Sequence, residues 1–281
     1  MDTLRNKTAV VTGAASGIGL AMVRRFAVAG SRLVISDIDS TKLEHALDEA
    51  TRLGASAVAI TADVAAESQN QALFETAIEN FGQINVVCLN AGVQGPMGHS
   101  WSLSKDDYEW TLGIVLGGVI NGVRTFVPHL VDHGDGHVVI TASVSGHVAS
   151  PFNAPYAIAK HGVVTLAESL FHELQLEQST VGVTCLCPGS VKTNIANAAA
   201  ALAPGSVGST KGKLGSQILE ISQRAVEDGL DPETVSSQVH DAILGRRFWL
   251  FTDNSWDHPI AARAGEIAER LQPRFRAPTF G

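Results

Sequence analysis

Apolar residues in this chain fall into short β-branched runs separated by longer stretches of helical period. Residues 7–12 form the first run and stop at Gly13; residues 32–36 form the second and stop at Asp37. Further runs at 58–61, 84–89, 138–141, 181–187 and 247–252 have the length and composition of buried strands. Between them, residues 20–29, 41–53, 67–80, 105–132 and 156–177 carry apolar residues at helical spacing, and Asp231-Pro232-Glu233 opens one more helix, with proline in its first turn. Strand and helix alternate throughout. The pattern predicts a Rossmann-type, doubly wound α/β fold: a seven-stranded, mostly parallel sheet with right-handed crossovers and helices on both faces. No internal repeat or linker divides the chain, so residues 1–281 read as one domain. Only 190–230 breaks the pattern. It is rich in alanine and then in glycine, and reads as a flexible lid over a substrate site. The tail from about 253 holds one short amphipathic helix.

The first strand runs into Gly13-Ala14-Ala15-Ser16-Gly17-Ile18-Gly19 and then into a helix. That order of elements is what a dinucleotide loop requires, because glycines let the backbone approach a pyrophosphate at the positive end of the helix. Asp37 ends the second strand, where a carboxylate can accept hydrogen bonds from both ribose hydroxyls and would repel a 2′-phosphate. No Arg or Lys lies at 36–41 or 14–18, so NAD is expected in preference to NADP. Taken alone, Asp37 would also serve as a strand-end turn residue or a helix cap. Tyr156 and Lys160 share a helix face four residues apart, and a fixed ammonium one turn away is expected to bring a phenol towards working pH. In isolation such a pair is an exposed Tyr above an exposed Lys.

Charge and composition narrow the function. The formal net charge of −8 argues against nucleic-acid binding. No apolar run reaches membrane-spanning length by eye, and the N-terminal residues do not form a signal peptide, so no membrane partner is expected. Cys88, Cys185 and Cys187 all lie in apolar runs; an odd number of buried thiols suits a reducing, cytoplasmic setting. His129 and His133 share a helix face but lack a third ligand, so no metal is expected.

Several motifs stand in one order: the 12–19 turn, Asp63-Val64, Asn90-Ala91-Gly92, Ser143, Tyr156-Ala157-Ile158-Ala159-Lys160 and Pro188-Gly189-Ser190-Val191-Lys192-Thr193. With these spacings the chain resembles the short-chain dehydrogenase/reductase family, in its compact single-domain branch, over about residues 5–252. The resemblance implies that Ser143, Tyr156 and Lys160 are catalytic. It implies a cofactor held by Gly13, Ser16, Gly17, Ile18, Gly19, Asp37, Asp63, Val64, Asn90, Ala91, Gly92, Pro188, Gly189, Val191 and Thr193, together with Tyr156 and Lys160. Ser143 would bind the substrate oxygen while Tyr156 exchanges a proton with it. One position departs from the family: Val115 stands where an Asn usually takes part in a water-mediated proton path behind the lysine.

The function implied is hydride transfer between a nicotinamide and a secondary alcohol or ketone. The alternative, motivated by Val115, is a cofactor-binding sensor or scaffold with little turnover. Gln94, Met97, Ser145, His147 and Phe152 are the expected substrate liners; being mixed apolar with no Arg clamp, they suggest a neutral, bulky, apolar small molecule. The helices at 105–132 and 156–177 are apolar on more than one face, which together with the resemblance points to a homodimer or homotetramer.

Overall fold

The computed structural model describes residues 1–195, 202–205, 207–208 and 210–276. Its strands are β1 (Thr8–Thr12), β2 (Arg32–Asp37), β3 (Ala57–Thr61), β4 (Val86–Leu89), β5 (His137–Thr141), β6 (Gly182–Cys187) and β7 (Trp249–Phe251). They form one sheet in the order β3-β2-β1-β4-β5-β6-β7, and every neighbouring pair is parallel. From β1 the chain steps outward through β2 and β3, then returns to β4 on β1's other side. The strand order therefore reverses between β1 and β4, which opens a crevice at the carboxyl ends of these strands.

The helices are α1 (Gly17–Val28), α2 (Ser40–Arg52), α3 (Glu67–Phe81), α4 (Lys105–Leu112), α5 (Gly118–His133), α6 (Ala154–Leu176), α7 (Gly212–Glu227), α8 (Pro232–Leu244) and α9 (Asp257–Ala268). They divide the core in two. On one face of the sheet Met22, Val23 and Phe26 of α1 meet Leu43 of α2 and Val235, Val239 and Ile243 of α8. On the other face Leu73 of α3, Phe126 and Leu130 of α5, and Val163 and Leu170 of α6 pack together. Burying a side chain such as Phe26, which has no exposed surface, contributes about 1.5–3 kcal/mol.

Three features depart from the pattern reading. The long helix at 105–132 is not one regular helix: a π turn at Gly113–Gly117 joins α4 to α5. The stretch Lys105–His133 is also long and apolar enough, by length and composition, to cross a membrane. Here Val119, Phe126, Val127 and Leu130 are spent on the protein's own core instead. Finally, the 190–230 segment contains a full helix, α7. The lid expected there lies partly outside the described residues, at 196–201, 206 and 209.

Candidate active site

The crevice is a cleft of about 700 Å³ running from the β1–α1 turn to the start of α6. Its first end is shaped by missing side chains. Gly13 has φ +64°, and a Cβ there would stand 2.8 Å from the Ala91 Cα; Gly17 has φ +52°, and a Cβ would meet Thr193 Cγ2 at the same distance. At Gly19 a Cβ would fall 1.9 Å from the Gly13 carbonyl oxygen. Gly19 therefore does not line the cleft; its role is to let α1 pack onto the turn. Ser16, Gly17 and Ile18 line the cleft, and the first turn of α1 has no side-chain cap and no acidic residue. Open helix amides beside a glycine cradle fit a pyrophosphate group.

Asp37 lies beside that cradle. One carboxylate oxygen accepts from the Ala15 amide at 3.0 Å and the other from the Asp39 amide at 3.1 Å. These bonds fix the carboxylate and leave each oxygen a lone pair towards the cleft. Asp63 accepts from the Ala65 amide at 2.9 Å, and Asp63 and Val64 line the same end. Lys42 is the one cation lining this end among the described residues, and Asp39 holds it at 2.7 Å.

Asn90 ties three strands together. Its amide group donates to the Thr12 carbonyl at 3.1 Å, and its Oδ1 accepts from the Thr141 hydroxyl at 3.2 Å. The backbone amides of Asn90 and Ala91 both donate to the Thr12 hydroxyl, at 2.9 and 3.1 Å. Thr12 and Thr141 were legible in the sequence only as strand residues. Their hydroxyls fix the carboxyl ends of β1, β4 and β5, from which the site hangs. Ala91 and Gly92 line the cleft, as do Pro188, Gly189, Val191 and Thr193 from the end of β6.

At the far end Ser143, Tyr156 and Lys160 meet. Ser143 and Tyr156 are each 8% exposed and Lys160 is 3% exposed. The ammonium of Lys160 donates to the Thr141 carbonyl at 2.7 Å and lies 5.6 Å from the centre of the Tyr156 ring. The ionisation states correct the sequence expectation. Burial pushes the Tyr156 phenol up to about 12, with a hydrogen bond from Ser143 opposing it. Burial also lowers the Lys160 ammonium to about 8. Burial thus acts against the phenolate that the spacing alone suggested. In its neutral form the phenol can donate a hydrogen bond to an oxygen placed before it.

The five expected substrate liners do not line the cleft. His147 is turned away, its Nε2 3.3 Å from Cys187 Sγ and its ring against Trp249 and Phe251. Met97 is buried under the approach to α7, its carbonyl accepting from the Lys211 amide. Gln94 donates to Ser222 at 3.0 Å, the Ser145 amide donates to the Ser143 hydroxyl at 3.1 Å, and Phe152 packs on His99. The walls are instead Val93, Trp110, Ile114, Ile195, Leu202, Pro204 and Val226. Trp110 of α4 and Ile114 of the π turn stand four apart, a spacing the sequence did carry. Val115, at the divergent position, is fully buried in an apolar group with Val93, Tyr156 and Ala159. Among the described residues no group of His, Cys, Asp and Glu is arranged to hold a metal.

The family's sequence model, described as short chain dehydrogenase, matches residues 7–202. The chain belongs to this family of oxidoreductases. It is 35% identical to 1-deoxy-11-beta-hydroxypentalenate dehydrogenase of Streptomyces exfoliatus, over 98% of each chain. It is 30% identical to a C alpha-dehydrogenase of Sphingobium sp. strain SYK-6, over 99% of this chain and 87% of that one. Among solved structures, a short chain dehydrogenase/reductase of Burkholderia phymatum in complex with NAD superposes with a TM-score of 0.95 at 33% identity, covering 99% of this chain and 100% of that one.

Proposed function

We propose that this protein is an NAD-dependent oxidoreductase that interconverts a neutral, bulky, apolar secondary alcohol and its ketone. The observation carrying this reading is that one cleft joins a glycine cradle and a fixed carboxylate at one end to Ser143, Tyr156 and Lys160 at the other. The bound nicotinamide cofactor would supply the hydride chemistry. Gly13, Ser16, Gly17 and Ile18 would hold its pyrophosphate, Asp37 its adenosine ribose, and Val191 and Thr193 its carboxamide.

The chain's own residues handle the oxygen and the proton. Ser143 and Tyr156 would hydrogen-bond the substrate oxygen, stabilising charge as it develops. Tyr156 is the proton donor towards a ketone and, in the reverse direction, the acceptor from an alcohol. Lys160, anchored on the Thr141 carbonyl, keeps a positive charge near the phenol. The apolar wall of Val93, Trp110, Ile114 and Val226 supports a bulky, uncharged substrate. The similarity to a 1-deoxy-11-beta-hydroxypentalenate dehydrogenase and a C alpha-dehydrogenase supports oxidation of a hydroxylated substrate. Asp37 and the pairing of Lys42 with Asp39 support NAD over NADP. Exposed Ile120, Val131, Ile158 and Leu176 on α5 and α6 support a homodimer or homotetramer, and the free, buried Cys88, Cys185 and Cys187 support a reducing, cytoplasmic setting. Light scattering that returned only a 29.5 kDa species would overturn the assembly.

The decisive experiment follows NADH absorbance with a panel of secondary alcohols and ketones graded in size. Turnover with polycyclic substrates is expected. A panel without any turnover would overturn the reading.

A further inference from the structure

Asp107 has no exposed surface, yet it sits in the first turn of α4, where an acidic residue is normally solvated. Part of its role is local. Its Oδ2 accepts from the Ser104 amide at 2.7 Å, while the Ser104 hydroxyl accepts from the Asp107 amide at 3.2 Å, closing a capping box. That box needs one carboxylate oxygen. The other, Oδ1, accepts from the Gly208 amide at 2.6 Å, a residue 101 positions away. Lys211 brings its ammonium to Oδ2 at 3.1 Å and also donates to the Ser102 carbonyl at 3.1 Å. Both oxygens thus reach the segment that leads into α7.

Among the described residues, apolar burial holds the same segment only weakly. Gly215 is the one buried residue of α7, while Leu214 and Ile221 are 50% and 61% exposed. The hydrophobic effect, which fixes α1 through six buried residues, is nearly absent here. Polar contacts take its place: the Lys211 amide to the Met97 carbonyl at 2.7 Å, and Gln94 to Ser222 at 3.0 Å. Gly208 lies close against both side chains of the clasp. A Cβ on Gly208 would come within 2.9 Å of Lys211 Cε and 3.3 Å of Asp107 Oδ1.

The position of the clasp gives it a consequence. Trp110 and Ile114 follow Asp107 on the same helix side and line the cleft; Leu202, Pro204 and Val226 line it from the clasped segment. We propose that Asp107 and Lys211 form an ionic clasp that sets the distance between these two apolar walls, making them positioning residues that determine which bulky substrates the cleft accepts. The inference rests on the oxidoreductase reading above for its substrate, and on the contacts alone for the clasp. A buried carboxylate that loses its ammonium is left uncompensated, so the segment should detach rather than settle elsewhere.

The test uses the full-length protein and Lys211→Met, Lys211→Arg and Asp107→Asn. With Lys211→Met, the KM for a decalol should rise about tenfold or more, while kcat for cyclohexanol and the Kd for NADH stay within about twofold. Lys211→Arg should restore most of the KM. Tryptic cleavage after Lys213 should become about tenfold faster in Lys211→Met. Lys211 is half-exposed, so its removal should leave the fold intact even if Asp107→Asn, which also breaks the cap, does not fold. Unchanged decalol KM and unchanged cleavage in Lys211→Met would overturn the clasp. If the wild-type protein turned over no alcohol, the oxidoreductase reading would fall, and the cleavage rate would still decide the clasp.

Discussion

The two ends of the cleft are built on opposite principles. At the glycine turn, backbone approaches backbone so closely that residue identity is dictated by space: a Cβ at Gly19 would overlap the Gly13 carbonyl at 1.9 Å. Among the described residues of the 202–227 segment few are buried, and polar contacts tie it to distant residues, chiefly Gly208 and Lys211 to Asp107. Steric constraint is local and tolerates few residue types. Polar clasping is long-range and can be made by many pairs. The first kind of architecture therefore leaves a readable motif, and the second leaves scattered residues with no fixed spacing.

The largest effect is expected at Tyr156, at the far end of the cleft from the glycine turn. Tyr156→Phe keeps the ring among Val93, Val115 and Ala159 but removes the proton donor. Turnover should fall by about 10²-fold or more, with NADH binding nearly unchanged. Wild-type turnover in this variant would remove Tyr156 from the chemistry. A smaller effect is expected at the steric end. Gly19→Ala must move either α1 or the turn, and NADH affinity should fall more than about tenfold, equivalent to ~1.4 kcal/mol. If calorimetry found the same affinity, the close approach at 1.9 Å would not be what shapes the pyrophosphate site.

These contrasts explain what the sequence made legible. The strands were readable because all seven are short apolar runs in a parallel sheet, and the observed limits differ from the expected ones by a residue or two. The cofactor end was readable because Gly13, Gly17, Asp37 and Asn90 each answer a local demand of strand ends and turns. Ser143, Tyr156 and Lys160 were singled out as catalytic only through the resemblance that the ordered motifs carry, and the structure brings the three to one end of the cleft. The substrate wall was not readable. His147 was expected to line it, but a single short turn, Val144–Gly146, aims it at β6 and β7 instead. Helix α7 was missed because glycines precede it and Gly215 is its one buried residue, so no core contact organised its pattern. The phenol's direction of shift was missed because burial cannot be read from an i,i+4 spacing.

Cofactor choice lies between the two principles, since it depends on one charge placed by a strand end. Asp37→Ser should raise the ratio of kcat/KM for NADP over NAD by about tenfold, ~1.4 kcal/mol. The variant also loses an acceptor for the Ala15 and Asp39 amides, so some affinity for both cofactors should go with it. Steady-state kinetics with the two cofactors separates these effects: a fall common to both is the lost turn geometry, and a change in their ratio is the lost charge. An unchanged ratio would mean that the carboxylate does not discriminate.

The smallest effect is expected at Val115, and it asks whether the centre of the site follows the steric or the polar principle. Val115 lies in the π turn Gly113–Gly117, a form of helix often found at functional sites. It has no exposed surface, and its neighbours Val93, Tyr156 and Ala159 offer mainly carbon. Two polar side chains on the helices flanking this turn are committed elsewhere. Thr111 donates its hydroxyl to the Asp107 carbonyl at 2.8 Å, and Asn121 donates to the carbonyls of Val64 and Ala65 at 3.1 and 3.2 Å. No side chain at 115 takes part in proton movement, so Val115→Asn should leave turnover within about tenfold, ~1.4 kcal/mol in barrier. The new amide would be buried largely without partners, at a cost of about 1–3 kcal/mol of stability. For a chain of this size that is a fall of several degrees in Tm, at about 2–4 °C per kcal/mol. Measuring kcat and Tm on the one variant decides the matter. A lower Tm with near-normal kcat would show that space, not hydrogen bonding, governs this position. A Tm that held or rose, with turnover increased more than about tenfold, would show that the amide had found water beside Lys160 and that the polar principle reaches the heart of the site.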